Sequence, residues 1–239
     1  MKNRIPPFSS LILFENEDYI IINKPPYLSS LQDRNDELNV LKIARKYNEH
    51  AQLCHRLDKQ TSGILVISKN EKAYKFLNLQ FEKRTVEKEY HAVSEGLHDF
   101  KELEIDRPLS VHSNGTTKVD LRHGKRSVTI FNSMKAFKRH TLINCKPKTG
   151  RMHQIRVHLA YLKAPIIGDI TYGGKPFYLS SIKRNYKTGK FAEEKPLIQR
   201  MALHAYQIKI KLLSGDYKEV KAPYPKDFKV LLSQLDKNI

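Results

Sequence analysis

The stretch Cys54–Ser68, CHRLDKQTSGILVIS, sets a knot of charge directly against an apolar run with no linker between them. Its second half, GILVIS, reads as a continuous apolar strand, the pattern of a strand covered on both faces. Its first half is a polar elbow leading into that strand. Asp58 has Arg56 two residues before it and Lys59 directly after it, and flanking cations favour the carboxylate form of an acid. A carboxylate with little water around it can act as a nucleophile, and sugar chemistry uses such residues. Read locally, the same acid could equally satisfy turn amides or neutralise its neighbours.

Working outward, FENEDYIIINKPPYLSS predicts a strand at Tyr19–Ile22, stopped by Pro25 and Pro26. Residues 38–49, LNVLKIARKYNE, place Leu38, Leu41 and Ala44 at helical spacing, with Val40, Ile43 and Tyr47 alongside. Beyond the opening stretch, Asn70 is a candidate N-cap for a helix reaching about Arg84, with Ala73, Phe76, Leu77 and Phe81 facing inward. From Glu87 to Pro147 the chain reads mostly as strands: KEYHAVSEG, SVTIFNSMKAF and HTLINCKP, with a loop at 98–126. RMHQIRVHLAYL returns to helix, with Ile155, Leu159 and Leu162 on one face. Residues 175–200 look like a basic inserted loop, followed by the strand ALHAYQIKI and a last helix carrying Phe228, Leu231, Leu232 and Leu235. Strands outnumber helices without alternating strictly with them, which predicts an α+β fold. With no internal repeat and no Gly/Ser linker, residues 1–239 read as a single domain.

The charge balance points to a partner. Lys and Arg number 43 against 25 Asp and Glu, a net charge of +18, and such an excess favours a polyanion such as nucleic acid. Two cysteines, Cys54 and Cys145, make neither a disulfide framework nor a metal pair, which suits a reducing, cytoplasmic compartment. No run approaches the roughly 18–20 apolar residues needed to span a bilayer. GxGxxG after a strand, GxxxxGK[ST], HExxH and GxSxG are all absent. His153 and His158 are spaced by five, which does not stack two metal ligands on a helix face. No metal site is expected.

Two further stretches carry chemistry. In KTGRMHQIRVHLAYLKAPIIGDITYGG, residues 148–174, Thr149 and Gly150 sit where a helix is predicted to begin, so free amides could approach a phosphate. His153 and Arg156, spaced i, i+3, would share a face and could be aimed into a cleft; the alternative is a solvated basic face. Tyr90, in EKEYHAV, is either a half-core strand residue or a flat platform for a nucleobase.

Taken together and in this order, the three stretches resemble the RluA-type pseudouridine synthases. HRLDKQTSGILVISKN is similar to that family's HRLDxxTSGLLLxAK signature, EKEYHAVSEG to its KxYxAxVxG strand, and GRMHQIRVHLAYLKAPIIGDITYG to its GRxHQIRxHLxxxGxPIxGDxxYG block. Weaker agreement adds INKPPYLSS, GKRSVTIF and LHAYQI, so the likeness covers about residues 12–225. The resemblance implies the pseudouridine synthase fold, a mixed and mostly antiparallel sheet with flanking helices and a central basic cleft. It implies isomerisation of selected uridines in ribosomal RNA (23S above all) or tRNA to pseudouridine, without metal or cofactor.

By that resemblance Asp58 is the catalytic aspartate, whether by adding to the ribose or by acting through the base. Arg156 is the arginine that pairs with it, and Tyr90 stacks on the uracil and is a candidate for the final proton transfer at C5. Arg56 is the arginine that enters the gap left by a flipped-out nucleotide, and His55, Lys88, Gly150, Arg151 and His153 are expected to contact RNA. A monomer acting on structured RNA is expected. Many relatives carry an N-terminal S4 RNA-binding domain, whereas here the catalytic pattern starts within about the first twenty residues. RNA selection is then expected to come from the catalytic domain, its insert or the RNA structure. Pro25-Pro26-Tyr27 and Lys163-Ala164 depart from the family pattern and bear on loop geometry. The competing readings are an inactive basic RNA-binding protein of the same fold, and a nucleosidase or glycosidase in which Asp169 is the one other candidate carboxylate.

Overall fold

The computed structural model describes residues 6–32, 38–183, 186 and 193–238. The chain divides into two compact units: Met1–Glu89 with His204–Pro223, and Tyr90–Leu203 with Tyr224–Ile239. Strands and helices are numbered along the chain.

The first unit is organised around β4 (Ser62–Ser68), buried along its whole length as its unbroken apolar run requires. On one side it pairs antiparallel with β2 (Tyr19–Lys24), which pairs with β1 (Ile12–Glu15). On the other it runs parallel to β11 (Leu203–Lys211) at Ser62–His204 and Gly63–Ala205, and β12 (Tyr217–Lys221) closes that side against β11. The short β3 (Gln52–Leu53) also pairs with β4. Close approach at the parallel contact depends on Gly63: its φ is 111°, and a Cβ there would lie 2.1 Å from the Ala205 carbonyl oxygen. Ile21, Ile64, Val66, Ile208 and Ile210 form the core with Ala73 and Leu77 of α2 (Glu71–Glu82).

Both helices of this unit start on asparagine caps. Asn70 Oδ1 accepts from Ala73 N as the sequence predicts, and Asn39 Oδ1 does the same for Lys42 N at the head of α1 (Val40–Tyr47). The inner face of α1 is set by Val40 and Ala44, while Leu38 lies outside the helix and is 41% exposed. In α2, Phe76 and Phe81 are half-buried, and Gln80 takes an inward place because its amide bonds both backbone groups of Lys211.

The second unit carries an antiparallel array in the order β5 (Glu87–Glu95, its first three residues belonging to the first unit), β10 (His140–Pro147), β9 (Val128–Ala136) and β6 (Leu103–Asp106). The expected loop at 98–126 therefore contains strands: β6, and a separate ribbon of β7 (Leu109–Val111) with β8 (Thr117–Val119). Against the array pack α3 (Gln154–Tyr161) and α4 (Lys226–Lys237). The flanks of the expected basic insert are part of this core: Phe177 and Ile198 form a β-bridge and are buried, and Arg200 is fully buried in an ion pair with Asp227. Residues 184–185 and 187–192 of that stretch lie outside the described residues. Among the described residues no helix is long and apolar enough to cross a membrane.

Candidate active site

Asp58 lies in the turn between β3 and β4, half-buried, with Arg56 and Lys59 exposed on either side. The backbone around it is pinned from both directions. The Ser30 hydroxyl satisfies both the N–H and the carbonyl of Leu57. The Lys59 carbonyl accepts from Tyr27 N at 2.8 Å and from Lys24 Nζ at 3.3 Å. Thr61 N donates to the Asp58 carbonyl at 3.0 Å, closing the turn into β4. Lys24 is fully buried, and its ammonium also donates to the Pro25 and Leu28 carbonyls, so a charged side chain in a strand is held by a cage of backbone oxygens. The KPPYLSS segment after β2 thus serves as the brace of the Asp58 turn. No local pattern in the sequence links the two; only their inclusion in one family likeness does.

Two other expected contact residues of this unit meet over one ring. His55 lies 4.9 Å from Phe81, and the Lys88 ammonium sits 5.8 Å from the centre of the same ring. His55 Nε2 accepts from Val66 N at 2.9 Å, and burial pushes its imidazole down to about 3, which keeps it neutral. Burial also lowers the Lys88 ammonium to about 8. His55 is therefore built into the mount of the Asp58 turn as an acceptor.

In the second unit Tyr90 lies on β5 opposite Cys145 and packs, half-buried, on the core. Arg156 and His153 come together at the start of α3, though not as neighbours on a helix face. His153 is the N-cap residue with φ 54°, in the left-handed region, and Arg156 is inside the first turn. The Arg156 guanidinium makes a bidentate pair with Asp169, Nε to Oδ2 at 2.7 Å and Nη2 to Oδ1 at 2.8 Å. Its carbon lies 4.7 Å from the ring centre of Tyr172. The Tyr172 hydroxyl is 2.7 Å from His153 Nδ1 and accepts from Thr117 N at 2.9 Å.

The helix itself is buried from Gln154 to Leu159 on all sides, which overturns the reading of a solvated basic face. Its polar groups are matched one by one. Gln154 Oε1 accepts from Thr149 and from Arg151 N, while its Nε2 donates to Val128 O and Thr129 Oγ1. His158 donates from Nε2 to Arg107 O and accepts from Thr129 at Nδ1. Thr149 is thus buried and committed to the helix start rather than offered to a phosphate. A Cβ on Gly150 would meet nothing within 4 Å, and Arg151 is exposed, with Nε on Arg126 O. Among the described residues no group of three or more His, Cys, Asp or Glu is placed to hold a metal.

Comparison with known proteins gives this geometry a context. A family model described as RNA pseudouridylate synthase matches residues 18–161. The chain is 36% identical over 208 residues to ribosomal large subunit pseudouridine synthase C of Buchnera aphidicola subsp. Baizongia pistaciae, covering 84% of this chain and 62% of that protein. It is 33% identical over 233 residues to ribosomal large subunit pseudouridine synthase D of Haemophilus influenzae, covering 94% of this chain and 70% of that one. The chain thus spans between three fifths and seven tenths of these relatives' lengths. Among solved structures, human RNA pseudouridylate synthase domain containing 1 superposes with a TM-score of 0.68 at 26% identity, over 90% of this chain and 83% of that one. Human RNA pseudouridylate synthase domain containing 4 shares the fold with a TM-score of 0.72 at 23% identity, over 95% and 94%.

Proposed function

Because the chain belongs to the RNA pseudouridylate synthase family, we propose that it isomerises specific uridines of ribosomal RNA to pseudouridine, with Asp58 as the catalytic carboxylate. The names of its relatives, ribosomal large subunit pseudouridine synthases C and D, favour large-subunit RNA over tRNA. In the reaction the bond between uracil N1 and ribose C1′ breaks, the base turns, and C5 bonds to C1′. C5 gives up its hydrogen and N1 takes one, so the change needs no oxidant and no cofactor.

The observation that carries the reading is the braced turn at Asp58. Its peptide neighbours are locked by Ser30, Tyr27 and Lys24, and the carboxylate stands between two exposed cations. A reacting group gains most when its position is fixed before the substrate arrives. Tyr90 serves as the stacking platform and proton carrier, and Arg156 as the arginine that orients the reacting carboxylate. Arg56 enters the gap left by the flipped nucleotide, an event that costs a few kcal/mol. Lys88, Gly150, Arg151 and His153 line the path of the RNA, and the +18 charge makes binding salt-dependent. The protein acts as a monomer in the cytoplasm.

Against the glycosidase alternative stands the bidentate pair in which both oxygens of Asp169 accept from Arg156. Asp58→Ala is expected to abolish tritium release from RNA carrying 5-tritiated uridine while RNA binding stays within about threefold, because phosphate contacts supply most of the affinity. Release at the wild-type rate overturns the assignment, and free uracil among the products would favour hydrolysis.

A further inference from the structure

Arg156 is fixed by groups from a segment that follows it. Asp169 takes Nε and Nη2 of its guanidinium in a fork, and Tyr172 lies against the flat face. A fork plus a floor fixes the head of the arginine: the fork sets its direction in the plane and the ring sets its seat. The segment carrying both residues is itself locked. Gly168, at φ 76°, is pressed so close to Arg200 that a Cβ would lie 2.4 Å from its carbonyl oxygen. Asp169 N donates to Ile166 O at 3.0 Å, and Gly174 N donates to Asp169 O at 2.9 Å. Tyr172 is tied through its hydroxyl to His153 and to Thr117 of β8.

Stability is a poor explanation for such an arrangement. A buried ion pair contributes little that well-packed apolar residues would not supply. The two members are also unequally covered: the Asp169 side chain is 2% exposed, whereas that of Arg156 keeps 10%. The carboxylate stands behind and the guanidinium in front. A carboxylate in this place cancels much of the arginine's charge, so what the pair preserves is direction. The fork takes two of the five guanidinium N–H bonds, one on Nε and one on Nη2.

We propose that Asp169 is a positioning residue of the reaction, holding the Arg156 guanidinium in one plane on the Tyr172 ring so that its remaining N–H bonds point in a fixed direction. The proposal rests on the role given to Arg156 above, and two variants separate their fates. Single-turnover tritium release at saturating RNA, RNA affinity and melting temperature are measured for Arg156→Ala, Asp169→Asn and the double variant. Asp169→Asn keeps the shape and one acceptor oxygen but turns the other position into a donor, so it loses the charge-assisted fork and is expected to slow turnover about 10- to 100-fold. RNA affinity is expected to change less than about threefold, and the double variant to be no slower than Arg156→Ala.

A wild-type rate for Arg156→Ala would overturn the role of Arg156 and this proposal with it. A slow Arg156→Ala beside a wild-type rate for Asp169→Asn would overturn only the present one, as would losses that multiply in the double variant. Should Asp169→Asn fail to fold, Asp169→Glu keeps the ion pair but moves the fork by one methylene. It is then expected to slow turnover with melting preserved, and a wild-type rate for it overturns the proposal.

Discussion

Ser30 and Leu57 are joined twice: Leu57 N–H donates to Ser30 Oγ at 3.0 Å, and the same hydroxyl donates to the Leu57 carbonyl at 2.9 Å. One buried side chain therefore fixes the peptide units on either side of the residue preceding Asp58. Ser30→Ala removes both partners at once and leaves two buried backbone groups unmatched, at a cost of about 1–3 kcal/mol for each group left bare. Urea unfolding is expected to show a stability loss in that range. Turnover is expected to fall more than RNA affinity, because the turn carrying Asp58 loosens.

Gly63→Ala tests the parallel contact between β4 and β11. Its φ of 111° is strained for any residue with a Cβ, and the new carbon would run into backbone rather than into a side chain that could move. Strain alone costs about 1–3 kcal/mol, and displacement of β11 adds to it. A urea midpoint equal to wild type would show that β11 can retreat without loss.

The His55 imidazole sets a pH dependence. Burial holds it at about 3 in the folded protein against an ordinary value of 6.5, with the Lys88 ammonium adding to the depression. Between those values the unfolded chain binds more protons than the native one, so stability falls as pH falls. The contribution is complete above pH 6.5 and drains away toward pH 3. Burial lowers His140 and His158 as well, so the slope has more than one source. His55→Gln, which keeps an acceptor for Val66 N, is expected to lose less stability than wild type between about pH 7 and pH 5 in urea titrations. Equal losses would assign the slope to the other histidines.

Arg56→Ala separates base extrusion from general affinity. The residue is exposed beside Asp58, and a flipped base in a folded RNA leaves a gap that an unstructured strand does not have. The variant is expected to lose about tenfold in rate on folded RNA and at most about threefold on an unstructured strand, in line with a few kcal/mol for unstacking. Equal losses on the two substrates would end the case for insertion.

How much of this could be read beforehand varied with the physical signal each part leaves in the sequence. β4 was plain because seven consecutive buried positions must be apolar or small. α2 was plain because its cap and its period agree. β12, with the sequence YKEVK, gave no sign, since only Val220 is buried and the partner strand supplies the rest through backbone bonds. The strands inside 98–126 are three or four residues long and carry too few apolar positions to stand out. α3 misled in the other direction: its Gln, Arg and His side chains suggest water, yet each is matched by a specific partner in the interior. Asp58, Tyr90 and Arg156 stood out through the family resemblance. The thirteen-residue separation of Arg156 and Asp169 follows no helical or strand period, so their pairing emerged only in three dimensions.

The first unit is split along the chain, with residues 90–203 lying between its two pieces. During synthesis β4 leaves the ribosome long before His204 and Ala205, the residues that cover its parallel edge. At ordinary elongation rates the interval is on the order of 10 s. Throughout it, the Ser62–Gly63 end of a mostly apolar strand offers an unpaired edge to any other extended chain, since β3 covers only Ile67 and Ser68. The nascent protein is therefore expected to pass through a window in which added chaperone raises its folded yield and higher concentration lowers it. That window closes only when β11 emerges.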